Sequence, residues 1–286
     1  MRKFISAIVT TLFLGFILCT FSCSDTEDSE SKEKCQVHLS NILQGEYPEL
    51  HYSDIEEGTV FTEKLLPDLP STDNAKFLGW FALSSETENT YINVRDKSTK
   101  DIKKYSDAFD GSYVSIEAKW EVKITLNANG GKINANDIVA DYKFIDFVGE
   151  KLELPKPDKV GLNRDGYTFI CWSNEKEGAG NWWGTEEITT TSLPEPGELV
   201  YAIWEKGTNV KVVDVSSSET DFENTLKTLK NDDTLFVIGH SSFLIGEKYE
   251  KGKLLRNYLN NSDNKIILNL SYLEKDTYSA ALLKTA

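Results

Sequence analysis

Between residues 123 and 126 apolar and polar side chains alternate, Lys-Ile-Thr-Leu, and the run enters Asn129-Gly130-Gly131. Alternation of period two predicts a strand with Ile124 and Leu126 on one face, and Asn-Gly after it predicts a turn. A glycine pair behind a strand can also cradle phosphate, but that needs further glycines, a Lys-Ser/Thr and an immediately following helix. None comes next in that order, so the stretch reads as strand and turn.

The same order of patterns occurs twice. Residues 123–132 (KITLNANGGK) are followed by 149–157 (GEKLELPKP), then 166–172 (GYTFICW), then 199–204 (LVYAIW). Upstream, 35–41 (CQVHLSN) precede 58–70 (GTVFTEKLLPDLP), 75–81 (AKFLGWF) and 114–120 (VSIEAKW). Each copy predicts a strand, an apolar strand ending at prolines, an aromatic pair before Trp, and a closing strand ending Ala-x-Trp. Phe77 and Trp80 thus correspond to Phe169 and Trp172, Gly79 to Cys171, and Trp120 to Trp204. Most of the extra length in the first copy lies in the polar residues 84–111, which predicts a surface insertion.

After Trp204 the pattern changes. Residues 210–215 predict a strand, 218–231 a helix with Phe222, Leu226 and Leu229 at helical spacing and Ser218 or Thr220 as cap, 233–240 a strand, 248–262 a helix and 264–273 a strand. Alternating strand and helix predicts a small α/β unit.

The second copy resembles the internalin-type B repeat, also called the Listeria/Bacteroides repeat, through V/I-x-L/F-x-x-N-G-G, L-P-x-P, G-Y-T-F-x-G-W and Y-A-x-W. It departs at Cys171, where that pattern has Gly, and the first copy lacks Asn-Gly-Gly and has Ala75-Lys76 for Gly-Tyr. The resemblance implies small β-grasp-type modules used as stalks or in adhesion. Residues 206–286 are similar to the segment leading into BspA-like leucine-rich repeats, where an x-L-x-L-S strand such as IILNLSYL opens the array. Such an array needs about three stacked repeats to bury its core. The expected fold class is therefore α+β, mainly β: two tandem β-grasp-like modules, 35–121 and 122–205, followed by a small α/β domain, 206–286.

Arg2, Lys3 and the apolar residues 4–21 form a signal-peptide pattern over 1–22, of a length that also permits an anchor. Cys23 follows Ser22 and opens the acidic, Ser-rich tract 23–34, a solvated tether. This junction resembles a bacterial lipoprotein processing site, which implies cleavage before Cys23 and lipidation there; an uncleaved anchor and plain secretion are the alternatives. All three export the chain, and the expected location is the cell envelope, as an exported lipoprotein at the cell surface on the outer membrane. Export permits a Cys35–Cys171 disulfide, but the two fall in different predicted modules.

A formal charge of -15 argues against nucleic acid as partner, since phosphate binding needs clustered Lys and Arg. The candidate ligand contacts are Trp182 and Trp183 in the Gly-rich residues 178–187, where one indole of an extended pair faces the core and the other outward, to a sugar or a neighbouring domain. His38, His51 and His240 show no metal-ligand spacing. His240-Ser241-Ser242 lacks the Gly-x-Ser-x-Gly of a nucleophile elbow, and Asn231-Asp232-Asp233 lacks the order of a Ca²⁺ loop. The expectation is a non-enzymatic surface lipoprotein without cofactor that engages a protein or extracellular-matrix partner. The alternatives are a carbohydrate-binding protein or glycan hydrolase using exposed Trp, and a pure spacer.

Overall fold

The computed structural model describes residues 34–41, 52–107, 111–147, 150, 152–185, 193–240 and 250–274. The signal segment, Cys23 and the tether lie outside them. Among the described residues strands dominate, and the architecture is mainly β with two short α-helices.

Its organising element is a strand of 17 residues. Strands β1 (Lys34–Ser40), β2 (Tyr52–Glu56), β3 (Ala75–Leu83), β4 (Tyr91–Asn93) and β5 (Lys104–Asp107) lead to β6 (Gly111–Asn127). In β6 every second residue from 114 to 126 is buried: Val114, Ile116, Ala118, Trp120, Val122, Ile124 and Leu126. The alternation keeps one register across the border between the two copies. The closing strand of the first copy is therefore also the opening strand of the second.

Strands β7 (Val139–Asp146), β8 (Tyr167–Ser173), β9 (Trp182–Trp183) and β10 (Leu199–Lys206) complete the sheet. In the first copy β1 pairs antiparallel with β2 and parallel with β6, and β3 pairs antiparallel with β6. In the second, β6 pairs antiparallel with β7 and parallel with β10, and β8 pairs antiparallel with β10. Both copies thus have the order second–first–last–third in their own strands. Even the bulge recurs: Phe77 faces Trp120 while Gly79 faces Lys119, and Phe169 faces Trp204 while Cys171 faces Ile203.

The aromatic frame repeats with it. Trp80 Nε1 donates to the Pro67 carbonyl at 2.9 Å, and Trp172 Nε1 to the Pro155 carbonyl at 3.0 Å. Trp120 donates to the Asn41 carbonyl and Trp204 to the Ala128 carbonyl, each at 2.8 Å. Left-handed Asn41 and Asn129 each send a side-chain amide to the carbonyl of the alanine two residues before the closing Trp, Ala118 and Ala202, at 2.9 Å. Each bond gives a buried indole or carbonyl the partner it needs away from water.

Two expectations need correcting. The proline-ended segments at 58–70 and 149–157 form no strand within the described residues; they cross as irregular chain, putting Leu66, Leu69, Leu152 and Leu154 into the core while their proline carbonyls receive the indoles. Proline lacks the N–H that a ladder requires. Nor are residues 84–111 a solvated insertion throughout: Val94 and Ile102 are each 1 % exposed and join the same core.

That core runs without a break from Val37 to Ala202, with Phe169 and Trp204 packed against it. The expected modules 35–121 and 122–205 therefore share both a strand and a buried interior. Beyond them β11 (Val210–Asp214), α1 (Glu219–Lys227), β12 (Thr234–His240), α2 (Glu250–Asn261), β13 (Ile267–Asn269) and β14 (Leu273–Glu274) form a second sheet, in which β12 is parallel to β11, β13 and β14. Ser218 caps α1 by accepting from the Asp221 amide, and Phe222 and Leu226 face the core between α1, α2 and the sheet.

Equivalent bonds make equivalent predictions. Trp80→Phe and Trp172→Phe should each cost about 1–3 kcal/mol, from a lost hydrogen bond, a stranded carbonyl and a smaller ring. Urea unfolding should show one shared transition for the two copies in each variant; two separated transitions would mean that β6 does not couple them.

Candidate functional site

The chain turns from β10 to β11 at Gly207, which has φ 125° and donates to the Gly166 carbonyl at 2.9 Å, while Thr168 Oγ1 donates to the Gly207 carbonyl at 3.0 Å. This tight turn sets the parallel sheet against the outer face of β8 and β10. Ile170, Cys171 and Ile203 meet Val210, Phe236 and Ile238 in a separate apolar cluster. Cys171 has no exposed surface, whereas its counterpart Gly79 has φ 128° and an added Cβ there would lie 2.9 Å from the Asn93 amide nitrogen. One position accordingly holds glycine where neighbours crowd it and a small apolar thiol where a second sheet must be met.

Beside that cluster lies a cleft of about 530 Å³. The second copy contributes Tyr167, Phe169, Trp204 and Arg164; the α/β unit contributes Asp214, Ser217, Asp221 and Thr225. Phe169 meets Trp204 edge-on, with centroids 5.9 Å apart. Arg164 lies over Tyr167, its guanidinium carbon 3.8 Å from the ring centroid, and its Nη1 donates to the Asn129 carbonyl at 3.3 Å. Trp204 rests on the glycine turn, since a Cβ on Gly131 would come within 2.8 Å of the indole. Its outer side is half-buried, while its counterpart Trp120 is 1 % exposed. The difference arises from β7, which runs past Trp120 and pairs Asp146 with it; after Trp204 the chain leaves for the α/β unit instead.

On the opposite wall, Ser217 Oγ donates to the Asp214 carbonyl at 2.7 Å and Thr225 Oγ1 to the Asp221 carbonyl at 2.9 Å. Asp214 Oδ1 accepts from the Ser216 amide at 2.9 Å and the Ser216 hydroxyl at 2.6 Å. Asp221 Oδ2 accepts from Ser218 Oγ at 2.7 Å. Gly184 is required beside Asp214, because any Cβ there would fall 1.8 Å from Oδ2. Behind the wall Lys251 Nζ donates to the Val215 carbonyl at 2.6 Å; burial draws its pKa down while Asp214 and Glu219 act to raise it.

The residues singled out from sequence are not gathered in this cleft. Trp183 is 1 % exposed and belongs to the main core, so it has no surface to offer a ligand. Trp182 is half-buried and meets Tyr272 of the α/β unit edge-on at 6.3 Å, so the outward indole of the pair turns to a neighbouring domain. Cys35 and Cys171 are separate, buried free thiols. His38 is exposed and stacks on Tyr113 at 4.4 Å. Cys23, His51, Ser241 and Ser242 lie outside the described residues, as does the ring of His240. Asp233 accepts from the Lys230 amide at 2.9 Å, closing a turn in which Asp232 is left-handed. Among the described residues no three His, Cys, Asp or Glu side chains come together as a metal site.

The glycine pair is thus explained as the seat of the closing indole. That arrangement agrees with the comparison of the chain with known families. Residues 123–193 match the Listeria-Bacteroides repeat domain. No curated protein and no solved structure matches the chain. The match covers the repeat domain from its first strand through β9 and includes Tyr167 and Phe169 of the cleft. In the sequence these rings, like Trp204, read only as frame positions. The signal that could have found them is the absence of a further repeat frame after Trp204 to cover its indole.

Burial pushes the Cys171 thiol well above its ordinary value, and Asp214 adds to the effect. Folding therefore favours the protonated thiol: its contribution is whole below the unfolded thiol value of about 8.5 and fades as pH climbs toward the higher folded value. Cys171→Ala should cost about 1–2 kcal/mol at pH 7 through lost packing. The gap between variant and wild type in urea unfolding should shrink between about pH 7.5 and 10, across the range where an unfolded thiol ionises. A thiol reagent should reach Cys171 only after unfolding; rapid labelling of the native protein would contradict the docked arrangement.

Proposed function

We propose that this chain is a non-enzymatic, exported lipoprotein of the cell envelope that presents a binding surface on the outer face of the outer membrane. The supporting observation is the fused pair of copies: one matches the Listeria-Bacteroides repeat domain, a surface-associated repeat type, and β6 ties it to a second copy with the same strand order and indole bonds. Strands shared across a border resist bending there, because any hinge would break the ladder on both sides. A stiff support is what holding a surface away from a membrane requires.

In this reading lipid on Cys23 anchors the chain, residues 24–34 form the tether, and the two copies are β-grasp-like modules. The parallel strands β11, β12 and β13 make the α/β unit suited to cap a leucine-rich-repeat array, whose strands are also parallel. The partner class is a protein or extracellular-matrix component.

The anchor is tested by growing the producing bacterium with an alkyne-bearing palmitate analogue. Wild-type chain should take up the label and stay with membranes, and Cys23→Ser should lose both. External protease should cleave the wild-type chain on intact cells. Label retained by Cys23→Ser, or a wild-type chain that is never labelled, would overturn the lipoprotein reading.

A further inference from the structure

We propose that the cleft between the repeat domain and the α/β unit is a binding site for a neutral glycan. The proposal names a ligand for the surface reading and rests on it for biological setting, although binding itself needs no membrane.

The two walls of the cleft have different chemistry. One carries the half-buried rings of Tyr167, Phe169 and Trp204. The other carries hydroxyls whose hydrogens are already committed, Ser217 to the Asp214 carbonyl and Thr225 to the Asp221 carbonyl. Thr168, on the aromatic side, spends its hydrogen on the Gly207 carbonyl in the same way. A hydroxyl that has donated keeps oxygen lone pairs, so these groups face the cleft as acceptors, and the carboxylates of Asp214 and Asp221 add acceptor character. The cleft thus calls for a ligand rich in hydrogen-bond donors at its rim and rich in C–H on its face. A pyranose ring has this make-up: its hydroxyls donate outward and its C–H groups lie flat on aromatic faces.

Charge narrows the choice. Asp214 and Asp221 disfavour phosphate, sulfate or uronate groups, in keeping with the chain's net -15. A lysine side chain would meet carboxylates too, but the Arg164 guanidinium already lies over one face of Tyr167, and a second cation beside it would be repelled. A neutral polyhydroxylated ring satisfies both walls without opposing either charge. The volume of about 530 Å³ lies within the range of small-ligand sites and leaves room for a short oligosaccharide.

The cleft also has a structural reason to be open. In the first copy β7, the second strand of the next copy, pairs alongside the closing Trp120, which is buried; in the second copy the closing Trp204 is left half-buried at the mouth of the α/β docking site. Exposed aromatic surface of this kind, rimmed by polar groups, marks an interaction site.

The test uses the full chain in a detergent without a sugar headgroup, screened by Trp fluorescence against neutral oligosaccharides of glucose, galactose, mannose and N-acetylglucosamine. At least one should bind saturably. Tyr167→Ala should weaken it about tenfold or more by removing a stacking face. Thr225→Val, a near-isosteric change at a half-buried position of α1, should weaken it several-fold with an unchanged thermal transition. No binding of any neutral probe at about 10 mM, a level at which even weak sites fill, would overturn the proposal. So would affinity unaltered in both variants, or tighter binding of heparin or polylysine. Because binding is read on purified protein and anchoring on labelled cells, either reading can fail while the other stands.

Discussion

One strand governs the molecule. The 17 residues of β6 keep a single inward face from Val114 to Leu126, and each copy of the frame uses part of that face as its centre. Fully burying a side chain such as Val, Ile or Leu is worth roughly 1.5–3 kcal/mol, so a one-residue slip in β6 would forfeit the core of both copies together. The indole bonds lock the same register from outside the ladder, because Trp120 reaches back to Asn41 while Trp204 reaches back to Ala128 just beyond β6. Each copy thereby checks the position of its own first strand against its last.

The fusion has an asymmetric consequence. The first copy has the second strand of the next copy, β7, paired beside its closing Trp120, and among the described residues no such strand follows for Trp204. Here the α/β unit takes the terminal position, but it docks on the outer faces of β8 and β10 rather than along the extension of β10, through Ile170, Cys171 and Ile203. The departure from glycine at Cys171 belongs to this docking. It replaces a position that must be glycine in the first copy, where φ is 128°, with one that supplies apolar bulk to Phe236 and Ile238. The surface that docking leaves uncovered, the half-buried side of Trp204 with Phe169 and Tyr167, becomes the cleft.

Local pattern was enough to read the frame. Alternation located β1, β6 and β10, the spacing of Phe222 and Leu226 located α1, and Ser218 proved to be its cap. Trp80, Trp172, Trp120 and Trp204 stand in the corresponding positions that the two aligned copies assign to them. Pattern misled where apolar content was taken for a strand: Leu152 and Leu154 are buried, but Pro155 and Pro157 deny their segment a ladder, and it crosses the core as irregular chain. Polar content likewise hid the part played by Val94 and Ile102, because two buried residues in a long hydrophilic stretch carry no period.

The site was less legible than the fold for a reason that Trp182, Trp183 and Trp204 make concrete. Adjacent tryptophans in a glycine-rich stretch look exposed because the stretch is polar, yet Trp183 pairs opposite Trp172 inside the sheet and Trp182 is taken up by Tyr272. Trp204 looks like core because its counterpart in the frame is core. Which indole reaches solvent depends on the unit that packs against the end of the repeat, and this is a property of the docking between units rather than of any window of residues. In a chain built from repeats, then, ligand chemistry is best sought where the repetition stops, because there a side chain selected to be covered by the next copy meets something else.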